Sequence, residues 1–206
     1  MSQDPYDHIL QLTDAVGILR AQDLDAHEIP RVYLQRMVDD GLLERADWGL
    51  YVRPDAEVTE HHSLALASRR VPRGVVCLLS ALQFHGLTTQ LPNQVWMALH
   101  PKDHRPRVEA IPLRFVRFSG PALAEGVTVH TIEKVPVPIY APAKTVADCF
   151  KYRNKIGLDI ALEALRDCLT RTDSQGQRLC SVDDLWRYAE ICRVSGVMQP
   201  YLKAMV

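Results

Sequence analysis

No stretch of this sequence approaches the roughly 20 consecutive apolar residues that a membrane-spanning helix needs, and no segment is repeated or of low complexity. The opening residues 1–7 are polar and acidic, so no signal peptide is expected. No Cys-x-x-Cys pair occurs among the five cysteines Cys77, Cys149, Cys168, Cys180 and Cys192. Their odd number and apolar neighbours read as reduced thiols of a cytoplasmic protein. No glycine-rich loop precedes Lys144 and Thr145, which excludes a P-loop. Ser80 lacks a Gly-x-Ser-x-Gly setting, and no paired acids suggest nucleotidyl transfer. His61 and His62 are adjacent, so they cannot share a helix face; His85, His100 and His104 lack ligand-like spacing. Pro54-Asp55 has no downstream Glu-x-Lys of a metal-dependent nuclease. The expectation is a protein with no catalytic constellation, no metal and no cofactor.

What is present is an ordinary globular composition, 47% apolar and 24% charged, over 206 residues. That length buries a substantial core in one large domain or two small ones. The net charge of −1 is unevenly distributed. Residues 1–56 carry five Lys/Arg against eleven Asp/Glu, a net −6, and residues 57–120 carry eight against four, a net +4. Residues 121–206 carry eleven against ten, a net +1. A basic middle is compatible with nucleic acid, whereas the acidic start argues against nonspecific phosphate binding there.

Ile9, Leu12, Val16 and Leu19 recur at helical spacing, and Gly17 ends that helix near Val16. A short helix over Ala21–His27 buries Leu24. Ile29-Pro30 opens a third, which carries Leu34, Met37 and Val38 inward and is closed by Gly41. Residues 42–45 and 50–53 form a hairpin around Ala46-Asp47-Trp48-Gly49. Three helices and a hairpin make a winged helix-turn-helix over residues 1–55, with residues 54–56 as linker. Helices are then expected over 58–70 and 72–86. Strands follow at Val95–Leu99, 113–118, Val127–Ile132 and Val135–Tyr140, the last placed at an edge by Pro136 and Pro138. Glu133-Lys134 turns the final hairpin. Helices over 143–152, Leu158–Thr170 and 182–194 complete the chain, the last capped by Ser181. The fold class is α+β: the winged helix precedes a mixed domain, residues 57–206, of helices on a small, largely antiparallel sheet.

On the third helix the face opposite Leu34 and Met37 presents Val32, Gln35 and Arg36, flanked by Arg31 and Tyr33. Arginine and glutamine suit bidentate reading of guanine and adenine edges. Arg45 and Arg53 on the wing strands suit flanking phosphates. A winged helix used only for protein contact is the other reading, supported by Asp39 on the same face. Lys102, Arg105 and Arg107, with Arg114 and Arg117 on the next strand, form a basic segment that serves as a solvated loop, a DNA-backbone contact or a partner patch. Lys144, Thr145 and Asp148 sit at a helix start and read as structural.

The residues from Ile29-Pro-Arg-Val-Tyr-Leu through Gly41-Leu-Leu-Glu-Arg, with Gly49-Leu-Tyr51, resemble the start of a bacterial regulator family. So do Ser80-Ala-Leu-Gln-Phe-His85-Gly-Leu87, Leu91-Pro92 and Pro142-Ala-Lys144-Thr145-Val-Ala-Asp148-Cys-Phe150-Lys-Tyr-Arg153. The family is the AbiEi antitoxins of type IV toxin–antitoxin systems, and the likeness spans nearly the whole chain. The wing tip carries Trp48 where that family commonly has a basic residue. The resemblance implies repression of its own operon through double-stranded operator DNA. It further implies a C-terminal domain that counteracts a nucleotidyltransferase-like toxin, with no membrane partner. A stand-alone regulator whose second domain dimerises or senses a ligand is the alternative.

Overall fold

The computed structural model describes residues 4–104, 111–172 and 175–205. The chain forms two compact units: residues 1–73 with 105–113 and 129–137, and residues 74–104 with 114–128 and 138–206. The expected division near Ala56 does not coincide with these units, because helix α3 (His62–Arg70) belongs with the residues before it.

The first unit opens with α1 (Pro5–Val16), whose Asp4 side chain caps the Tyr6 amide at 3.1 Å. Gly17 ends the helix at φ 71°. The following segment is a short strand, β1 (Leu19–Arg20), which the sequence reading assigned to the apolar stripe alone. A 3-10 helix, Ala21–His27, leads to α2 (Val32–Asp39). Strands β2 (Glu44–Asp47) and β3 (Leu50–Val52) form the hairpin, and β1 adds to it in the order β1-β3-β2. All pairs are antiparallel, with Leu19 opposite Tyr51, Arg45 opposite Tyr51, and a bulge at Ala46.

Alternation along the strands divides the sheet's two faces. Leu19 and Tyr51 join Ile9, Leu24, Leu34, Met37 and Leu43 in one apolar cluster. Helix α3 packs on β3 and brings the buried Leu64, Ala65, Leu66 and Ala67 into the same unit.

In the second unit, the helix expected over 72–86 is instead a strand and a shorter helix, β4 (Val75–Val76) and α4 (Leu78–Phe84). The two β-branched residues sit inside a sheet, and Cys77 is extended at φ −145° before the helix begins. Strands β5 (Val95–Leu99), β6 (Leu113–Arg117), β7 (Val127–Ile132) and β8 (Val135–Tyr140) complete the order β6-β5-β4-β8-β7, with α5 (Pro121–Ala124) between β6 and β7; residues 129–137 of the β7–β8 hairpin belong to the first unit. β4 runs antiparallel to β5 but parallel to β8, so the sheet is mixed. β8 is therefore internal and β7 is the edge, a correction to the placement drawn from Pro136 and Pro138. The β4–β8 pairing is confined to Val76 opposite Ile139, which spares the proline nitrogens a continuous ladder. Glu133 and Lys134 turn the hairpin with φ of 51° and 64°, the left-handed pair that a two-residue turn uses.

Helices α6 (Pro142–Lys151), α7 (Arg153–Ile156), α8 (Leu158–Thr170), α9 (Val182–Ile191) and α10 (Ser195–Met205) follow. Ser181 caps α9 as expected, its Oγ accepting the Asp184 amide at 3.0 Å. Helix α6 is the centre of the second unit: residues 143–150 are all buried, against α4, α8 and α9. Cys168 and Cys180 lie side by side, Cα atoms 5.4 Å apart. The segment after α8 doubles back through a bridge between Thr172 and Arg178, which returns Cys180 to the helix end. Among the described residues no helix is long and apolar enough to cross a membrane.

Candidate nucleic-acid interface

Helix α2 owes its orientation to Leu34 and Met37, both buried in the first unit's cluster. That anchoring turns Val32, 53% exposed, outward together with Arg31, Gln35 and Arg36, while Tyr33 is half-buried. Arg31 holds Asp25 with two guanidinium nitrogens, Nε donating to Oδ1 at 3.0 Å. Gln35 Nε2 donates to Asp39 Oδ1 at 2.8 Å, so the exposed acid orients the amide one turn before it. The Arg36 guanidinium lies 5.7 Å from the Tyr33 ring centre. These four side chains form one continuous exposed face.

The β2–β3 hairpin adds Arg45, whose guanidinium lies 5.8 Å from both the Trp48 and Tyr51 rings and donates to the Tyr51 hydroxyl at 3.3 Å. Trp48 is 67% exposed at the turn. Arg53 takes a different position. It lines a cavity of about 620 Å³ with Asp14, Glu44, Val52, Thr59, His62 and Glu133, and faces Asp14 at 3.5 Å and Asp55 at 3.7 Å.

In that cavity Glu133 accepts the Thr59 amide at 2.7 Å, its hydroxyl at 2.9 Å and His62 Nδ1 at 2.6 Å. Burial alone would lift the Glu133 carboxyl, but these bonds outweigh it and hold it below the usual glutamate range. A depressed carboxylate stabilises fully above the ordinary glutamate pKa, and that contribution is lost as pH falls through its lowered value. Glu133→Gln should therefore lower the urea midpoint at pH 7 and leave it near the wild type's at acid pH. Equal losses at both pH values would show that Glu133's charge carries no stability.

The structure also assembles residues that the sequence reading passed over. Arg20 Nη2 and Arg69 Nη2 converge on Asp23 at 2.6 and 2.5 Å, and Arg69 Nε donates to the Ile18 carbonyl at 2.6 Å. Burial pushes the Asp23 carboxyl up, and the bonds from Arg20 with the charge of Arg69 bring it below its ordinary value. Arg70 Nη1 donates to the Trp48 carbonyl at 3.0 Å. An Arg-Arg doublet closing a helix reads in sequence as a complement to its dipole, which concealed this convergence.

The basic segment from Lys102 to Arg117 is only partly described, since Arg105 and Arg107 lie outside the described residues. Lys102 is exposed; Arg114 stacks 4.3 Å from the Trp96 ring centre; Arg117 Nη1 donates to the His100 carbonyl at 2.6 Å. Lys144, Thr145 and Asp148 are fully buried. Lys144 Nζ donates to Asp148 Oδ2 at 2.5 Å and lies 4.0 Å from the Tyr140 ring centre and 4.8 Å from that of Phe118. Thr145 Oγ1 donates to the Tyr140 carbonyl at 3.0 Å, and Asp148 Oδ1 accepts from Cys192 Sγ at 3.2 Å. These partners tie α6 into the core, the structural role expected of the three.

Residues 8–54, the segment that builds the helix face and its hairpin, match the family described as transcriptional regulator, AbiEi antitoxin. The match covers 47 of the 206 residues and falls where the motifs of the first unit resemble that family. No curated protein matches the chain. Among solved structures it is similar to the RV2827C protein from Mycobacterium tuberculosis, at 14% identity and a TM-score of 0.58, over 100% of this chain and 81% of that one. That likeness concerns the α+β fold alone.

Proposed function

We propose that this chain is a DNA-binding antitoxin regulator whose first unit carries a winged helix-turn-helix, with α2 as its recognition helix and β2–β3 as its wing. The observation that carries the reading is the exposed face of Arg31, Val32, Gln35 and Arg36 beside Arg45, inside the segment that matches an AbiEi regulator family. Arginine and glutamine on one helix face supply the donors that base edges in a major groove accept. Binding represses the chain's own operon. The residues from 57 onward counteract a nucleotidyltransferase-like toxin, a role that rests on the family likeness.

Arg36→Ala tests the first part. Its loss should cost about 1–3 kcal/mol of discrimination for the DNA upstream of the gene over an unrelated duplex. A gel-shift titration at fixed salt reads this, and unchanged discrimination would remove Arg36 from the reading face. Co-expression with a neighbouring nucleotidyltransferase-like gene, scored for growth rescue, tests the second part. Growth arrest unrelieved by the soluble chain would refute it.

A further inference from the structure

Between the start of the 3-10 helix, the start of α2, the β2–β3 turn and the end of α3 lies an open cleft of about 240 Å³ within the first unit. Its walls are Arg20, Arg31, Arg69 and Arg70 with Gln22, and Trp48 forms its rim. We propose that this cleft is a clamp for the sugar-phosphate backbone of duplex DNA, seated beside the base-reading face of α2 and sharing Arg31 with it. The inference rests on the DNA-binding reading above and adds the place where the backbone is held.

Charge is the first argument. The cleft is lined by four arginines and no carboxylate, in a stretch of chain that is otherwise acidic. The acids bound to these arginines, Asp23 and Asp25, are not part of the lining. Asp23 joins Arg20 to Arg69, so these two guanidinium groups are fixed before any ligand arrives. With Nε and Nη2 of both already bonded to Asp23 or the Ile18 carbonyl, they offer phosphate fixed cations, and little side-chain entropy is lost when it binds.

Shape is the second argument. At about 240 Å³ the cleft falls below the ~300–1,000 Å³ usual for sites that enclose a small molecule, and it is open. That suits a point contact along a polymer better than engulfment of a free nucleotide. Trp48 at its rim is 67% exposed, and Arg70 pins the backbone of the same residue. An exposed indole on a held backbone offers an apolar face to deoxyribose and an N–H donor for phosphate. The clamp also accounts for an acidic segment meeting an acidic polymer: four arginines against the two acids paired with them leave the groove a net positive charge.

The test uses the full chain with two duplexes of equal length, one from the DNA upstream of its gene and one unrelated, in fluorescence anisotropy across a sodium chloride series. Arg70→Ala should weaken binding to both duplexes by the same factor and reduce the salt slope by about 0.9, the loss of one phosphate contact. Arg70→Lys keeps the charge and should retain most of the slope, which a purely structural bond to the Trp48 carbonyl would not predict. Trp48→Phe should remove the change in tryptophan emission on adding duplex. An unchanged slope in Arg70→Ala, or an emission change that survives Trp48→Phe, would overturn the clamp while leaving the DNA-binding reading intact. A deoxynucleoside monophosphate that alters Trp48 emission as strongly as duplex would overturn it in favour of a nucleotide site. Failure of the wild-type chain to bind either duplex would overturn both.

Discussion

Replacing Lys144 with methionine is expected to destabilise the second unit by about 3–5 kcal/mol at neutral pH, the usual cost of leaving one member of a buried ion pair behind. Lys144 and Asp148 are one turn apart on α6, joined at 2.5 Å, and neither is exposed to solvent. Burial lifts the Asp148 carboxyl above the ordinary aspartate range even with Lys144 beside it. Without the ammonium only the Cys192 thiol and the charge of Lys151 oppose that burial, and the balance shifts further toward the protonated acid. A raised carboxyl pKa gives stability that is present at low pH and lost as pH rises through the raised value. The deficit of Lys144→Met should thus be smallest in acid and widen toward neutrality in urea titrations. Lys144→Met combined with Asp148→Leu removes both charges and should recover most of the loss, since apolar pairs of similar volume replace buried ion pairs at little cost. A single variant as stable as the wild type at pH 7 would show that water reaches the pair. A double variant no better than the single would assign the cost to lost packing on Tyr140 and Phe118.

Gly17→Ala should destabilise the first unit by about 2–5 kcal/mol, combining a left-handed backbone with an intrusion into packed chain. Gly17 sits at φ 71° and ψ −60°, with the Ile18 amide donating across it to the Val16 carbonyl at 2.8 Å. This is the γ-turn with positive φ, rare because it is strained for residues with a side chain. A Cβ there would lie 1.9 Å from the Glu133 carbonyl oxygen, so backbone must move. Gly41 is the control: its φ is also 71°, and a Cβ added there meets nothing within 4 Å. Thermal melts of the two variants separate the terms, at about 2–4 °C in Tm per kcal/mol for a chain of this size. The Gly17 variant should lose several times as much as Gly41→Ala. Equal losses would mean that φ alone sets the cost and the approach of Glu133 none.

A simple truncation is a poor way to separate the proposed activities. A cut at Ala56 removes the sheet on which α3 packs and leaves Arg69 without Asp23. The first unit draws on residues 129–137 as well as 1–73, so no single cut separates the units. Point substitutions on α2, such as Arg31→Ala with Arg36→Ala, separate DNA contact from the rest of the chain without that damage.

Local chemistry made much of the first unit legible from sequence. The 3.6-residue stripe of α1, the closing Gly17, the inward Leu34 and Met37 of α2 and the Gly-containing turn before β3 are all decided by neighbours within a few residues. The exposed face of α2 follows directly from that stripe. The two-residue turn at Glu133-Lys134 and the cap at Ser181 are local for the same reason. What only the tertiary structure decided depends on partners distant along the chain. Val75–Val76 became a strand because β5 and β8 flank it, though the surrounding residues suit a helix. β8 lies inside its sheet, despite two prolines, because its neighbour β4 is only two residues long. Arg20 and Arg69 share Asp23 across 46 residues of sequence from Asp23 to Arg69, and the arginine cleft beside Trp48 exists only once those segments meet. Periodicity records which side of an element faces the core. It holds no information about which distant charge that side will meet.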